Sequence, residues 1–460
     1  MSSALAADEV RETGYSVALA RFTATLRHDD VPDVVRHEAK RALVDHLAVS
    51  FAGAAEPASE KLRRAAARLA RSTEATLIGS AQRTSAPFAA LLNGHSCHVL
   101  DFDDTYNPGR TTIHGSSSVW PVVFALSESQ RLSGRDAVTA YVAGFETEAR
   151  VANAAGPAHY DIGWHVTGTA GHVGAAAAAA KVLALSAEDT LHALGCAATQ
   201  AAGIKEVYGS DCKPLHPGKS AMDGLLAGVL ASEGFTSRPT ALEGRQGLLR
   251  LVSTDPDPEL LVEGFHTIWH LAQTGYKAYP SGSLTHPTVD AVLGLRSDHD
   301  VKADDVEFLD ARVHHYAATV TGNSSPTTTN EAKFSLAHCA AVALIEGRLA
   351  PADFADGVVN DPIVRAVRDR VRVTIDPDVS KRGASVTLRT RDGRVLERTV
   401  AANRGTPENP MRDEDISNKF MSGATNVLGQ AEARRLLDQC WAVDDLEDMG
   451  ALVRAGAGPS

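Results

Sequence analysis

Residues 98–116 read HVLDFDDTYNPGRTTIHGS. Three carboxylates (Asp101, Asp103, Asp104), a hydroxyl (Thr105), a guanidinium (Arg110) and two imidazoles (His98, His114) fall in this one stretch. An Asn107-Pro108-Gly109 breaker divides it. Acid, base and hydrogen-bond donor in one place is what proton-transfer chemistry requires. Two plainer readings use the same residue types. Asp101 and Asp104 could simply cap a helix or pair with arginines. DFDD could also hold magnesium through its oxygens, but no DDxxD spacing follows and no second acidic triad lies downstream.

Three further segments carry chemistry-bearing side chains. HYDIGWHVTGTAGHVG (159–174) holds His159, Tyr160, His165, Thr167 and His172. It fits neither the GxGxxG nor the Walker phosphate loop, and no strand precedes it. It reads either as His165 and Thr167 aimed from a helix N-terminus into a pocket, or as a buried, hydrogen-bonded histidine. YGSDCKPLHPGKSAMDG (208–224) places Lys213, His216 and Lys219 beside proline and glycine. In an acidic protein this reads as a long cationic loop suited to a carboxylate, against the alternative of a solvated loop. YKAYPSGSLTHP (276–287) carries Lys277, Tyr279, Ser281, Ser283 and His286 at an expected domain junction, where ligand sites concentrate.

These segments need a scaffold. With 460 residues, two domains are expected. Hydrophobic content of 44% and charged content of 22% are globular values. The net charge of −12 argues against nucleic-acid or anionic-membrane partners. The cysteines (Cys97, Cys196, Cys212, Cys339, Cys440) are odd in number and lack CxxC spacing, as in a cytoplasmic protein with reduced thiols and no zinc. MSSALAADEVRET lacks the apolar run of a signal peptide.

Helical spacing predicts helices over 35–53, 87–102, 134–155, 169–185 and 187–203. Alanine and glycine dominate them, so close-packed central helices are expected. The pattern changes near 275. Strands are expected over 306–320 and 370–375, a hairpin around Arg-Asp-Gly over 384–400, and a helix over 332–347. The tail from 408 returns to helix, and GAGPS at the end reads as disordered. The fold class is therefore mainly α with an α+β insert. The expected domains are 1–272 and 406–460 as one helical body and 273–405 as the insert.

Taken together and in order, these segments resemble the MmgE/PrpD family, which includes 2-methylcitrate dehydratase, cis-aconitate decarboxylase and iminodisuccinate epimerase. The similarity is carried by AKRALVDHLAVSFAG, ALLNGHSCHVLDFDDT, AGFETEAR, GWHVTGTAGHVGAAAAAAKVL, CKPLHPGKSAMDGLLAGVLASEGFT, YKAYPSGSLTHPTVDA, AKFSLAHCAAVAL and NKF, over most of residues 35–420. The resemblance implies a helical domain built from both chain ends, a smaller α/β lid, a homodimer, a site between domain and lid, and no metal or organic cofactor. It puts Asp101, Thr105, His114, Lys213 and Lys277 at active-site positions and His165 in the family's Gly-Trp-His segment. The chain also departs from the pattern. His114-Gly115-Ser116 stands where the family often has His-Pro-Ser. Gly282 stands where the decarboxylase branch has a histidine, and Val320, with Tyr316 close by, where that branch has a tyrosine.

Such a site would act on a small di- or tricarboxylate by α-proton transfer. Lys213 and Lys277, helped by Arg110, would hold carboxylates and neutralise the developing charge. His114 would be the acid/base, tuned by Asp101. Thr105 and His216 would bind substrate, and His165 or Tyr160 would serve the opposite face. The expected activity is a cofactor-independent lyase, a dehydratase first. A decarboxylase, an epimerase and a non-enzymatic binding scaffold are the alternatives.

Overall fold

The computed structural model describes residues 14–459. The expectation about the first thirteen residues lies outside them. The chain divides into two compact units. One comprises the segments up to residue 99, 103–275 and 412 onward; the other comprises 100–102 and 276–411.

The first unit includes α1 (Asp33–Ala54), α2 (Ala86–His98) and a two-residue strand β1 (Thr105–Tyr106). Then come α3 (Gly115–Gln130), α4 (Gly134–Ile162), α5 (Val166–Val182), α6 (Ala187–Ala198), α7 (Cys212–Ser232) and β2 (Thr274–Gly275). Helix α5 is the centre. All its residues except Lys181 are buried, and α4 and α7 are its main neighbours. Small side chains make this possible. A Cβ on Gly174 would lie 2.8 Å from the Gly144 carbonyl oxygen, and one on Gly224 of α7 would lie 2.3 Å from the Ala175 Cβ. Backbones this close exclude larger residues, which explains the alanine run as a packing device.

The cost of such a core is the polar groups it buries. The Glu148 carboxyl on α4 is fully buried and accepts from the Ser118 hydroxyl. Burial pushes its pKa up to about 8. Helix α4 kinks at Gly156, whose φ is +69°, just before Pro157.

The second unit is a helix-backed mixed sheet. It contains α8 (His286–His299), β3 (Val306–Val313), α9 (His315–Thr321), α10 (Leu336–Glu346), β4 (Val371–Ile375), β5 (Ala384–Thr390) and β6 (Val395–Val400). The strand order is β4-β3-β5-β6. β3 runs parallel to β4 (Leu309 opposite Val371) and antiparallel to β5 (Leu309 opposite Leu388). The β5–β6 hairpin turns at the expected Arg-Asp-Gly, with Gly393 at φ +92°. Leu309, Ala311, Val313, Val386 and Leu388 pack with Val292, Leu336 and Ala340. The expected strand over 306–320 is corrected: its second half is α9. The His314 ring accepts the Tyr316 N–H at 3.2 Å, so the strand stops where a helix cap begins.

The chain then returns to the first unit with α11 (Asp413–Leu428) and α12 (Gln430–Trp441). Lys419, in the NKF motif, pairs with buried Asp45 of α1 at 2.6 Å. The expected disorder at the end is also corrected for residues 456–459, Ser460 lying outside the described residues. Ala457 bridges to Ile78, and the Gly79 N–H donates to the Gly456 carbonyl at 2.9 Å.

Two stability outcomes follow from the buried charges. Lys419→Met strips Asp45 of its ammonium and is expected to cost about 3–5 kcal/mol, read from urea unfolding. For Glu148, the folded state holds its proton to about pH 8, whereas the unfolded chain loses it near the ordinary glutamate value of 4.5. Its contribution is therefore present below pH 4.5 and lost as pH rises to about 8. Glu148→Gln should raise the urea midpoint relative to wild type at pH 8 and leave it nearly unchanged at pH 5.

Candidate active site

The acid- and histidine-rich segment folds back on itself at the end of α2. His98 is the last residue of α2, and Asp101 takes a left-handed φ of +52°, a conformation aspartate tolerates. The turn brings Asp103 back under His98, with its carboxylate 2.8 Å from His98 Nδ1. β1 then pairs with β2, Thr105 opposite Gly275. Tyr106 and Ile113 exchange two backbone hydrogen bonds of 3.0 Å, closing the Asn-Pro-Gly loop between them. That closure delivers His114 to the N-cap of α3, beside Thr105.

The other histidine-bearing segments meet it there. His165 is the N-cap residue of α5, and Lys213 is the second residue of α7. So α3, α5 and α7 present their N-termini to one group of side chains. Ring centroids lie 4.6 Å apart for His98 and His114, 5.9 Å for His98 and His165, and 6.5 Å for His114 and His165. Helix N-termini carry partial positive charge and unpaired N–H groups, so their convergence suits an anion.

Hydrogen bonds fix the protonation pattern. His98 Nδ1–H donates to the Asp103 carboxylate, and Lys213 Nζ donates to His98 Nε2 at 3.0 Å. The chain runs from ammonium through neutral imidazole to carboxylate, every member buried. His114 Nδ1 lies 2.9 Å from the Asp104 backbone carbonyl, which only accepts, so the proton sits on Nδ1. In the neutral ring the lone pair is then on Nε2. The Asp103 carboxylate stands 3.6 Å from the same Nδ1 and favours the charged imidazolium when it forms. The Thr105 hydroxyl is 3.4 Å from that nitrogen, and the Thr167 hydroxyl accepts the His114 N–H at 3.0 Å.

His165 packs edge-on to Tyr208 and lies with its Nδ1 2.9 Å from His216 Nδ1. Burial, then Lys213, His98, His216 and His114 around it, hold the His165 pKa well below the usual histidine range. Burial, then His98 and Lys213, lower His216 to about 4. Both rings are neutral at pH 7. Asp104 behind the cluster is held protonated, mainly by burial and by its neighbour Asp103.

Of the residues expected from the sequence, His114, Lys213, His165, His216 and Thr105 come together. Lys277 and Asp101 pair with each other in the second unit. Lys277 Nζ lies 3.0 Å from an Asp101 carboxylate oxygen and 2.9 Å from the Asp101 carbonyl, both residues buried. Two candidates are engaged elsewhere. Arg110 is exposed and donates to the Asn153 carbonyl at the α4 kink. Tyr160 has Lys205 Nζ 3.4 Å above its ring. The expected cationic loop over 208–224 is also corrected. Lys213, His216 and Lys219 lie on α7, and Lys219 pairs with Asp223 rather than facing the cluster. Proline and glycine suggested a loop, but Pro214 falls in the first turn, where its missing N–H costs nothing. Pro217, inside the helix, is tolerated there.

Sequence reasoning passed over His98 and Asp103, which hold the lysine. Their signal was the HxxxxD spacing at the end of an apolar helix. Asp103 supplies a carboxylate beside His114 within this unit.

Residues 17–261 match the model of the MmgE/PrpD N-terminal domain, and residues 279–443 match that of the MmgE/PrpD C-terminal domain. The chain belongs to the MmgE/PrpD family. Similar proteins include the cis-aconitate decarboxylase of Mus musculus, 28% identical over 95% of this chain and 92% of the relative. That of Aspergillus terreus is 27% identical over 97% and 96%, and that of Homo sapiens is 27% identical over 95% and 93%. As an MmgE/PrpD protein with these relatives, the chain is an enzyme of the lyase class. Among the described residues, no helix is long and apolar enough to cross a membrane. Two MmgE/PrpD departures have local counterparts. A Cβ at Gly115 would meet the Phe145 ring at 2.5 Å, and one at Gly282 would meet the Phe334 ring at 3.0 Å.

His98→Asn removes the acceptor that holds Lys213 while keeping a polar group on Asp103. Turnover should fall about a hundred-fold with the circular-dichroism spectrum and unfolding midpoint retained.

Proposed function

We propose that the cluster at the N-termini of α3, α5 and α7 is the centre of a cofactor-independent lyase. It would remove a proton from a carbon next to a carboxylate of a small di- or tricarboxylate and then expel water from the neighbouring carbon. The observation that carries this reading is the buried Lys213–His98–Asp103 chain beside the tautomer-fixed imidazole of His114. It supplies a cation for the developing charge and a base for the proton.

The hard part of the reaction is the enediolate left when the α C–H bond breaks, because the carboxylate gains a second negative charge. Lys213 meets that charge at an oxygen, supported by the helix N-termini. Lys277 is proposed as a second carboxylate anchor, on the family resemblance and on its burial beside Asp101. His114 Nε2 takes the α proton, and Asp103 stabilises the resulting imidazolium. His165 gives the Nε2 proton to the departing hydroxyl. The enediolate electron pair becomes the C=C bond, the C–O bond breaks, and water leaves. Thr105 hydrogen-bonds substrate.

Decarboxylation is the second reading, and the relatives' being cis-aconitate decarboxylases favours it. There the C–C bond to a carboxylate breaks, CO₂ leaves, and the electron pair ends on a carbon that an imidazole protonates. Both readings use the same groups. The oligomeric state is read as a homodimer from the resemblance alone, and light scattering on the purified protein checks it.

The discriminating experiment incubates EDTA-treated enzyme with 2-methylcitrate, citrate and cis-aconitate and follows products by NMR. Loss of water marks the dehydratase and release of CO₂ the decarboxylase. Deuterium entering Cα with neither loss marks an epimerase. His114→Ala and Lys213→Ala should each lower kcat/KM about a hundred-fold or more. Folded variants with wild-type turnover would sink the site assignment, and activity lost to EDTA would sink cofactor independence.

A further inference from the structure

We propose that His216 is a proton-relay residue that connects His165 to solvent, so that His165 delivers a proton without ever passing through a charged state. The inference rests on the reading of His165 as the acid of the lyase reaction.

The geometry is unusual in one respect. The two imidazoles face each other through like atoms, Nδ1 to Nδ1, at 2.9 Å. Only one proton fits between them. One ring must therefore carry its proton on Nδ1 and the other must accept there, which makes their tautomers complementary. Each ring then holds the opposite arrangement at its Nε2. His216 is only partly buried, whereas His165 is buried. The pair thus runs from the cluster toward water.

The rings are held in register. The His165 backbone N–H donates to the Gly203 carbonyl at 2.9 Å, and Trp164 bridges to Ile204. A Cβ at Gly203 would lie 3.3 Å from His216 Cγ, and one at Gly168 would lie 3.2 Å from His216 Cβ. The His216 side chain is seated against bare backbone on that side.

The relay balances as follows. His165 begins with its proton on Nε2 and accepts at Nδ1 from His216. When Nε2–H goes to the substrate, the shared proton crosses from His216 Nδ1 to His165 Nδ1. His216 Nε2 takes a proton from water or buffer. One proton moves from solvent to substrate, both rings change tautomer, and neither becomes an imidazolium. The surroundings make a neutral route the easier one. Lys213 and His98 face both rings, His114 and Tyr208 face His165, and His172 faces His216. An ammonium in that group opposes a second cation. Decarboxylation and elimination both need such a donor.

The test uses His216→Asn, because the Asn amide nitrogen falls where Nδ1 was. It can donate to His165 but cannot pass a proton on. With cis-aconitate or 2-methylcitrate as substrate, kcat should fall about a hundred-fold, KM should hold, and added imidazole should restore part of the rate. A wild-type kcat in His216→Asn with turnover lost in His165→Asn overturns the relay and leaves the site reading standing. Wild-type turnover in both variants overturns both. A readout free of substrate and of folding of the variant is the tautomer state of the resting enzyme labelled with ¹⁵N-histidine. One ring of the pair protonated at Nδ1 and the other at Nε2 supports the relay, and both at Nε2 overturns it.

Discussion

The approach of α5 to its neighbours governs the helical unit. A Cβ on Gly174 would sit 2.8 Å from the Gly144 carbonyl oxygen, so side chains have been removed to let backbones meet. Helices that pack this closely bring their ends close as well. The N-termini of α5 and α7 lie beside that of α3, and the groups they carry can touch: His165, Lys213 and His114. The chemistry needs no long side-chain reach because the backbones have already supplied it.

The same burial sets the electrostatics. With water excluded, each histidine of the cluster is stable as a neutral ring unless a carboxylate stands beside it. His165 and His216, buried beside Lys213 and other imidazoles, lose affinity for a proton. His114 and His98 have Asp103. One carboxylate therefore divides the imidazoles by role: His114 beside it can carry charge, His98 stays neutral between it and the Lys213 ammonium, and those away from it can only exchange protons. Asp104, one residue on, is pushed toward its protonated form mainly by burial, with the Asp103 carboxylate adding to the effect. Adjacent aspartates in sequence thus have opposite states.

Much of this architecture was legible in the chain. The alanine run, the Arg-Asp-Gly hairpin and the return to helix after the insert are local signals, and the structure has all three. So were His114, Lys213 and His165, because their residue types are rare in such segments without a purpose. What was not legible depends on contacts distant in sequence or on backbone turns. His98 looked like one more residue at a helix end until the turn at Asp101 folded Asp103 beneath it. The Lys213 segment looked like a loop because proline is read as a breaker, yet one of its prolines falls in the first turn of α7. The β-branched residues after Val313 pointed to strand, but the His314 cap wins locally. Arg110 and Tyr160 stand out in the sequence by chemical type alone, and type does not say which way a side chain turns.

Lys419 and Asp45 pair across 374 residues of sequence. Both ends of the chain are therefore required for one hydrophobic core, whereas the sheet unit is drawn almost wholly from one continuous stretch, 276–411. During synthesis the sheet unit can be completed while the helical body still lacks α11 and α12. The early helices, with their buried carboxyls and small-residue faces, must wait on the ribosome for the last segment. The helical body that carries the reactive cluster is thus the unit completed last in time.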